Sequence, residues 1–274
     1  MAYLNIPELT STQKQQMKGL MDNYFNAAAD QVFAYRSDTR RESYASTKKI
    51  ASTADAMGGC MNTAGKYLMN YGVFAQMIWM GRKIEDFTSH LSTPTTSISK
   101  AFDWGYYFDF AGAKNAYGIK KADGTYYTSN TYKEGTVTKF ITFDGSSALA
   151  DELHRKGYEI PYGQADIGDM VFYRAESIND GDSDEEEATN FRNITLAGIV
   201  YDINSDGTLT VMECSTVYSN KIGKCGLSPV SGLSTFSILR GSNLNFRVAM
   251  CARHPAAYGD GGNVPAKFET YRHK

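Results

Sequence analysis

Apolar positions along this chain fall first into a three- and four-residue rhythm, and later into short runs of β-branched and aromatic residues. Met17, Leu20, Met21, Tyr24, Phe25, Ala28, Val32 and Phe33 recur at helical steps. They predict one long helix over Pro7 to Arg36, its apolar stripe set against a core or a partner helix. Ser11 and Thr12 are its candidate N-caps. The polar stretch Ser37 to Asp55 carries Arg40, Arg41, Lys48 and Lys49. It reads as a solvated loop, with a grip on phosphates or acidic polymers as the alternative. Cys60 to Tyr71 puts Ala64, Tyr67, Leu68 and Tyr71 on one side, which predicts a second helix closed by Gly72.

Further on the rhythm changes. Val73 to Met80 is apolar throughout, and Thr88 to Ser99 is Ser/Thr-rich with Pro94 and reads as a loop. Asn115 to Phe143 alternates, with turn signals at Asp123-Gly124 and Glu134-Gly135, and predicts a β-ribbon insertion. Ser146 to Lys156 predicts a short helix stopped by Gly157, with Ala148, Leu149 and Leu153 facing in. Gly168 to Tyr173 is a turn feeding a strand. Ile194 to Tyr201, the turn Asn204-Ser205-Asp206-Gly207, and Leu209, Val211 and Glu213 predict a β-hairpin. Ser215 to Ser234 reads as loop, Phe236 to Arg240 and Phe246 to Ala252 as closing strands. Helices followed by antiparallel strands make the expected class α+β.

Composition narrows the function classes. A net charge of −2 lacks the clustered basic surface of a general nucleic-acid binder. No apolar run approaches the roughly 20 residues needed to span a bilayer, and Met1 to Leu9 carries no signal-peptide pattern. Cys60, Cys214, Cys225 and Cys251 lack metal-ligand spacing. Cys214 and Cys225 are left either paired or as free buried thiols. The aromatic run Phe102 to Phe110 suits core packing, with stacking on a sugar as the alternative.

Three stretches carry candidate chemistry. Cys60 follows Gly58-Gly59 at an expected helix start, where the helix dipole favours a thiolate nucleophile; a small buried residue packing the helix start is the plainer reading. Asp202, Asn204, Asp206, Gly207 and Glu213 match the spacing of a calcium-binding EF-hand loop. Their flanks are strand-like where that loop needs helices, so a polar hairpin turn is preferred. The acidic run Asp180 to Glu187 reads as a solvated loop.

The order of these pieces resembles a known family. Cys60 at a helix start, Gly168-Asp169-Met170-Val171-Phe172-Tyr173, then Leu196-Ala197-Gly198-Ile199-Val200, Glu213, and Arg253 two residues before Pro255 are similar to the papain-like cell-wall peptidases of the NlpC type and the related CHAP amidases. The resemblance covers roughly Cys60 to Pro255. It implies a papain-like α+β domain with an antiparallel sheet, preceded by the long N-terminal helix and carrying a β-rich insertion. The expected division is a helical extension at 1–56, the domain at 57–255 with its insertion at about 82–145, and a polar tail at 256–274. The implied site residues are Cys60 as nucleophile and Glu213 as the third polar residue.

One departure bears on mechanism. The family's general base is a histidine immediately before Ala197, and this chain has Leu196. Leucine can neither take the thiol proton nor protonate a leaving amine. The expectation is therefore a retired enzyme: a structural or host-binding component of a phage tail or baseplate, without cofactor. Its partners would be other virion proteins and peptidoglycan or a cell-surface glycan, with no nucleic acid and no membrane span. Such modules are frequent in bacteriophage tails. An active peptidoglycan endopeptidase or amidase is the alternative, and a calcium-binding hairpin module the second alternative.

Overall fold

The computed structural model describes residues 6–29, 33–35, 67–69, 71–83, 101–106, 108, 116–117, 131–134, 137–140, 142–143, 145–175, 192, 194–215, 221–226, 228–229, 236–240 and 244–259. Over these residues the fold is α+β with an antiparallel sheet. Two compact units divide the chain: Met1–Lys18 with Ser146–Met212 and Lys224–Lys274, and Gly19–Gly145 with Glu213–Gly223.

Helix α1 (Ser11–Ala29) buries Met17, Leu20, Met21 and Tyr24 of the expected stripe, whereas Phe25, also expected in it, is exposed. Its cap is Thr10, one residue before Ser11 and two before Thr12. The Thr10 hydroxyl accepts from the Gln13 amide at 3.2 Å, and the Gln13 side-chain oxygen accepts from the Thr10 amide at 2.9 Å. This reciprocal capping box satisfies two donors at once, which neither Ser11 nor Thr12 does here. The helix also ends before Val32: Phe33–Tyr35 is strand β1, paired in parallel with β2 (Tyr67–Met69).

Strand β2 corrects the helix expected over Cys60 to Tyr71. Its last residues are extended, and Tyr71 opens a helix where Gly72 was expected to close one: α2 (Tyr71–Trp79). Helix α2 hides from periodicity because successive residues, not one stripe, are buried, with Phe74, Ala75, Met77, Ile78 and Trp79 inaccessible to solvent. Its buried Gln76 is satisfied by donating to the Gly72 carbonyl at 3.0 Å. Trp79 stacks on Phe108 with ring centroids 6.3 Å apart, and Phe102 on Trp104 at 3.8 Å, so these aromatics serve packing. Gly105 is required there, since a Cβ would lie 2.2 Å from the Met80 carbonyl oxygen.

The expected β-ribbon is present in the same unit. Strand β3 (Ala116–Tyr117) pairs with β6 (Thr142–Phe143), and β4 (Thr131–Glu134) with β5 (Val137–Phe140). Helix α3 (Gly145–Arg155) buries Leu149, Ala150 and Leu153, Ala150 taking the inward place expected of Ala148. It ends as predicted on Gly157 at φ +82°. The Gly157 amide donates to His154 and the Tyr158 amide to Leu153, which caps the last carbonyls in a Schellman arrangement.

The main sheet has eight strands among the described residues. They are β7 (Glu159–Ile160), β8 (Met170–Ala175), β9 (Ile194–Ile203), β10 (Leu209–Ser215), β11 (Lys221–Gly226), β12 (Ser228–Pro229), β13 (Phe236–Arg240) and β14 (Leu244–Ala252). The order is β11-β10-β9-β8-β14-β13-β12, with β7 also paired to β14. Strands β11 and β12 lie where a loop was expected, because Gly223 and Gly226 interrupt the β11 pattern. Directly paired residues of an antiparallel sheet share a face. Val171, Tyr173, Leu196, Val200 and Val211 therefore line one face, and Met170, Phe172, Ala197, Ile199 and Met212 the other. Both sets are buried. Coverage on both faces explains why Ile194 to Val200 reads as a nearly continuous apolar run.

Candidate functional site

The Gly168-Asp169 turn and Arg253, two members of the motif series, come together. Gly168 holds φ +95°, and a Cβ on it would stand 2.7 Å from the Met17 sulfur and 2.9 Å from Leu9 Cδ1. Only glycine meets both demands without strain. The Gly168 amide donates to the Val200 carbonyl, and the Val200 amide to the Asp169 carbonyl, each at 2.9 Å. The turn is thus sewn to β9.

Asp169 is completely buried. Its Oδ2 accepts from the Asp166 amide at 2.7 Å, and its Oδ1 lies 3.0 Å from Arg253 Nε. Arg253 in turn donates from Nη1 to the Pro7 carbonyl at 2.5 Å and from Nη2 to the Gln164 carbonyl. Burial pushes the Asp169 carboxyl up to about 7, while the Arg253 guanidinium and the amides of Asp166 and His254 pull it the other way. Asp166 pairs with Lys14, which also reaches Glu8 at 3.0 Å. Burial raises the Asp166 carboxyl, but the hydrogen bonds of Lys14, Glu8 and Ile167 outweigh it and leave the group below its ordinary value. Burial likewise opposes charge on Lys14, yet its two carboxylate partners hold it above its ordinary value. These groups face one another and join the segment before α1 to the β8 turn and the end of β14.

Leu196, at the position where the resemblance calls for a base, is buried on β9. Its register partner on β8 is Tyr173, whose partner on β14 is Val248. This row offers two aliphatic side chains and a phenol. Glu213 is fully buried on β10, directly after Met212, the partner of Ile199. Cys60, the expected nucleophile, lies outside the described residues, as do His90, His273 and the side chains of Cys214 and Cys225. The two described histidines are elsewhere. His254 follows β14 and is buried, its Nδ1 accepting from the Ala256 amide at 3.1 Å. His154 sits in the last turn of α3.

The expected hairpin is present, and its turn is closed from within. Gly207 adopts φ +80°. The Asn204 amide donates to the Thr208 carbonyl at 2.8 Å, and Asp206 Oδ1 accepts from the Thr208 amide and hydroxyl at 3.0 and 2.7 Å. Asn204 donates to the Thr208 hydroxyl and accepts from the Thr210 hydroxyl. Thr210 is the register partner of Asp202, and Glu213 lies three residues further along β10. Asn204, Asp206 and Asp202, which pairs with Lys18 at 3.5 Å, are thus engaged by other groups of the chain.

One polar cluster went unremarked in the sequence. His154 Nδ1 lies 2.5 Å from Glu159 Oε2, and Arg192 grips the same carboxylate through Nη1 and Nη2 at 2.6 and 3.1 Å. Arg192 also donates to the Ala249 carbonyl at the irregularity in β14, and it is the described non-glycine residue with positive φ, at 52°. The only local signal was a histidine at a helix end followed by a strand-borne glutamate. Nearby on β14, Cys251 is a free buried thiol pushed well above its ordinary pKa by burial first and by Asp169 and Glu159 second.

Among the described residues no group of three or more His, Cys, Asp or Glu is placed to hold a metal ion. No helix among them is long and apolar enough to cross a membrane. No protein-family model matches the chain, and no curated protein or solved structure is significantly similar to it.

Proposed function

We propose that this chain is a structural or host-binding component of a phage tail or baseplate, built on a catalytically degenerate NlpC-like fold. The observation that carries the reading is Leu196. A buried aliphatic side chain occupies the β9 position that the resemblance assigns to the general base, with Tyr173 and Val248 beside it across the sheet. The motif residues Gly168, Asp169 and Arg253 support the kinship, because they join in one buried cluster, as elements of a shared scaffold would. A scaffold kept while its base is lost suits binding rather than turnover. The partners proposed are other virion proteins and peptidoglycan or a cell-surface glycan.

One observation favours the rival reading of an active peptidoglycan endopeptidase or amidase with Cys60 as nucleophile. His154 Nδ1 lies 2.5 Å from Glu159 Oε2, a carboxylate partner of the kind that supports an imidazole base. Purified protein and a Cys60→Ala variant incubated with peptidoglycan separate the two. Muropeptide release that depends on Cys60 would establish the enzyme; binding to the wall without release supports the retired fold. Recovery of the chain in purified particles tests the virion assignment.

A further inference from the structure

We draw no further inference here: the strongest candidate, the His154–Glu159–Arg192 side-chain cluster beside the irregularity in β14, holds its one carboxylate between its own two basic side chains, and nothing in the structure shows a ligand on it.

Discussion

Asp169 and Arg253 form a fully buried ion pair, Oδ1 to Nε at 3.0 Å, between the turn before β8 and the residue after β14. The guanidinium also takes the Pro7 and Gln164 carbonyls, so one side chain ties together three separate stretches of chain. Above about pH 7, where Asp169 is ionised, removing either partner leaves the other charge buried without its counterion. Asp169→Asn and Arg253→Met should each destabilise the fold by about 3–5 kcal/mol. The double variant should lose less than the sum, because the two share one interaction. Chemical denaturation of the four proteins measures this; strictly additive losses would contradict the coupling.

Gly168 and Gly207, both at positive φ, make a controlled comparison. A Cβ at Gly207 meets nothing within 4 Å, whereas at Gly168 it meets Met17 and Leu9. Gly207→Ala should cost about 1–2 kcal/mol from backbone conformation alone. Gly168→Ala should cost that plus roughly 1–3 kcal/mol of overpacking. Equal losses in thermal unfolding would mean that α1 does not press on the turn.

What was legible in the sequence follows from how local each signal is. The β9–β10 hairpin was plain because Asn204 to Gly207 separates two strand-forming runs, and α3 because Gly157 closes it. The hydrophobic stripe of α1 was plain too, although its cap at Thr10 depends on a reciprocal bond with Gln13 that nearby Ser11 and Thr12 obscure. Helix α2 was hidden by the burial of successive residues from Phe74 to Trp79, and β2 by its parallel partner Phe33–Tyr35 far away in sequence. For the candidate site, the residue types Leu196, Glu213, Asp169 and Arg253 were readable. Their roles were not, since the Asp169–Arg253 pair and the Glu159 grip on His154 and Arg192 depend on chain pairing over long separations.

The Lys14–Asp166 pair has a definite pH signature. Asp166 is held below 3.8, so its contribution is present above that value and is lost as pH falls through the folded pKa. Lys14 is held above 10.5, so its contribution is present below that value and is lost as pH rises through the folded pKa. The stability gap between wild type and Asp166→Asn should be on the order of 1 kcal/mol at neutral pH, given partial exposure. It should shrink below pH 3.8. Denaturant titrations across pH read it; a gap that widens on acidification would reverse the sign.

Cys251 should behave as an inert thiol. It is buried on β14, and burial together with Asp169 and Glu159 disfavours the thiolate. Iodoacetamide labelling followed by peptide mass spectrometry should find Cys251 unmodified in the native protein and modified in denaturant. Rapid native labelling at Cys251 would contradict its placement.

The proposal rests on Leu196, buried at the β9 position where the resemblance calls for a histidine, and holds that the chain does not cleave peptidoglycan. The most direct measurement is muropeptide release from purified peptidoglycan by the wild-type chain and by Cys60→Ala, followed chromatographically. The account predicts the same background release from both proteins. Release by the wild type that Cys60→Ala abolishes would contradict it and restore this chain to the working peptidases.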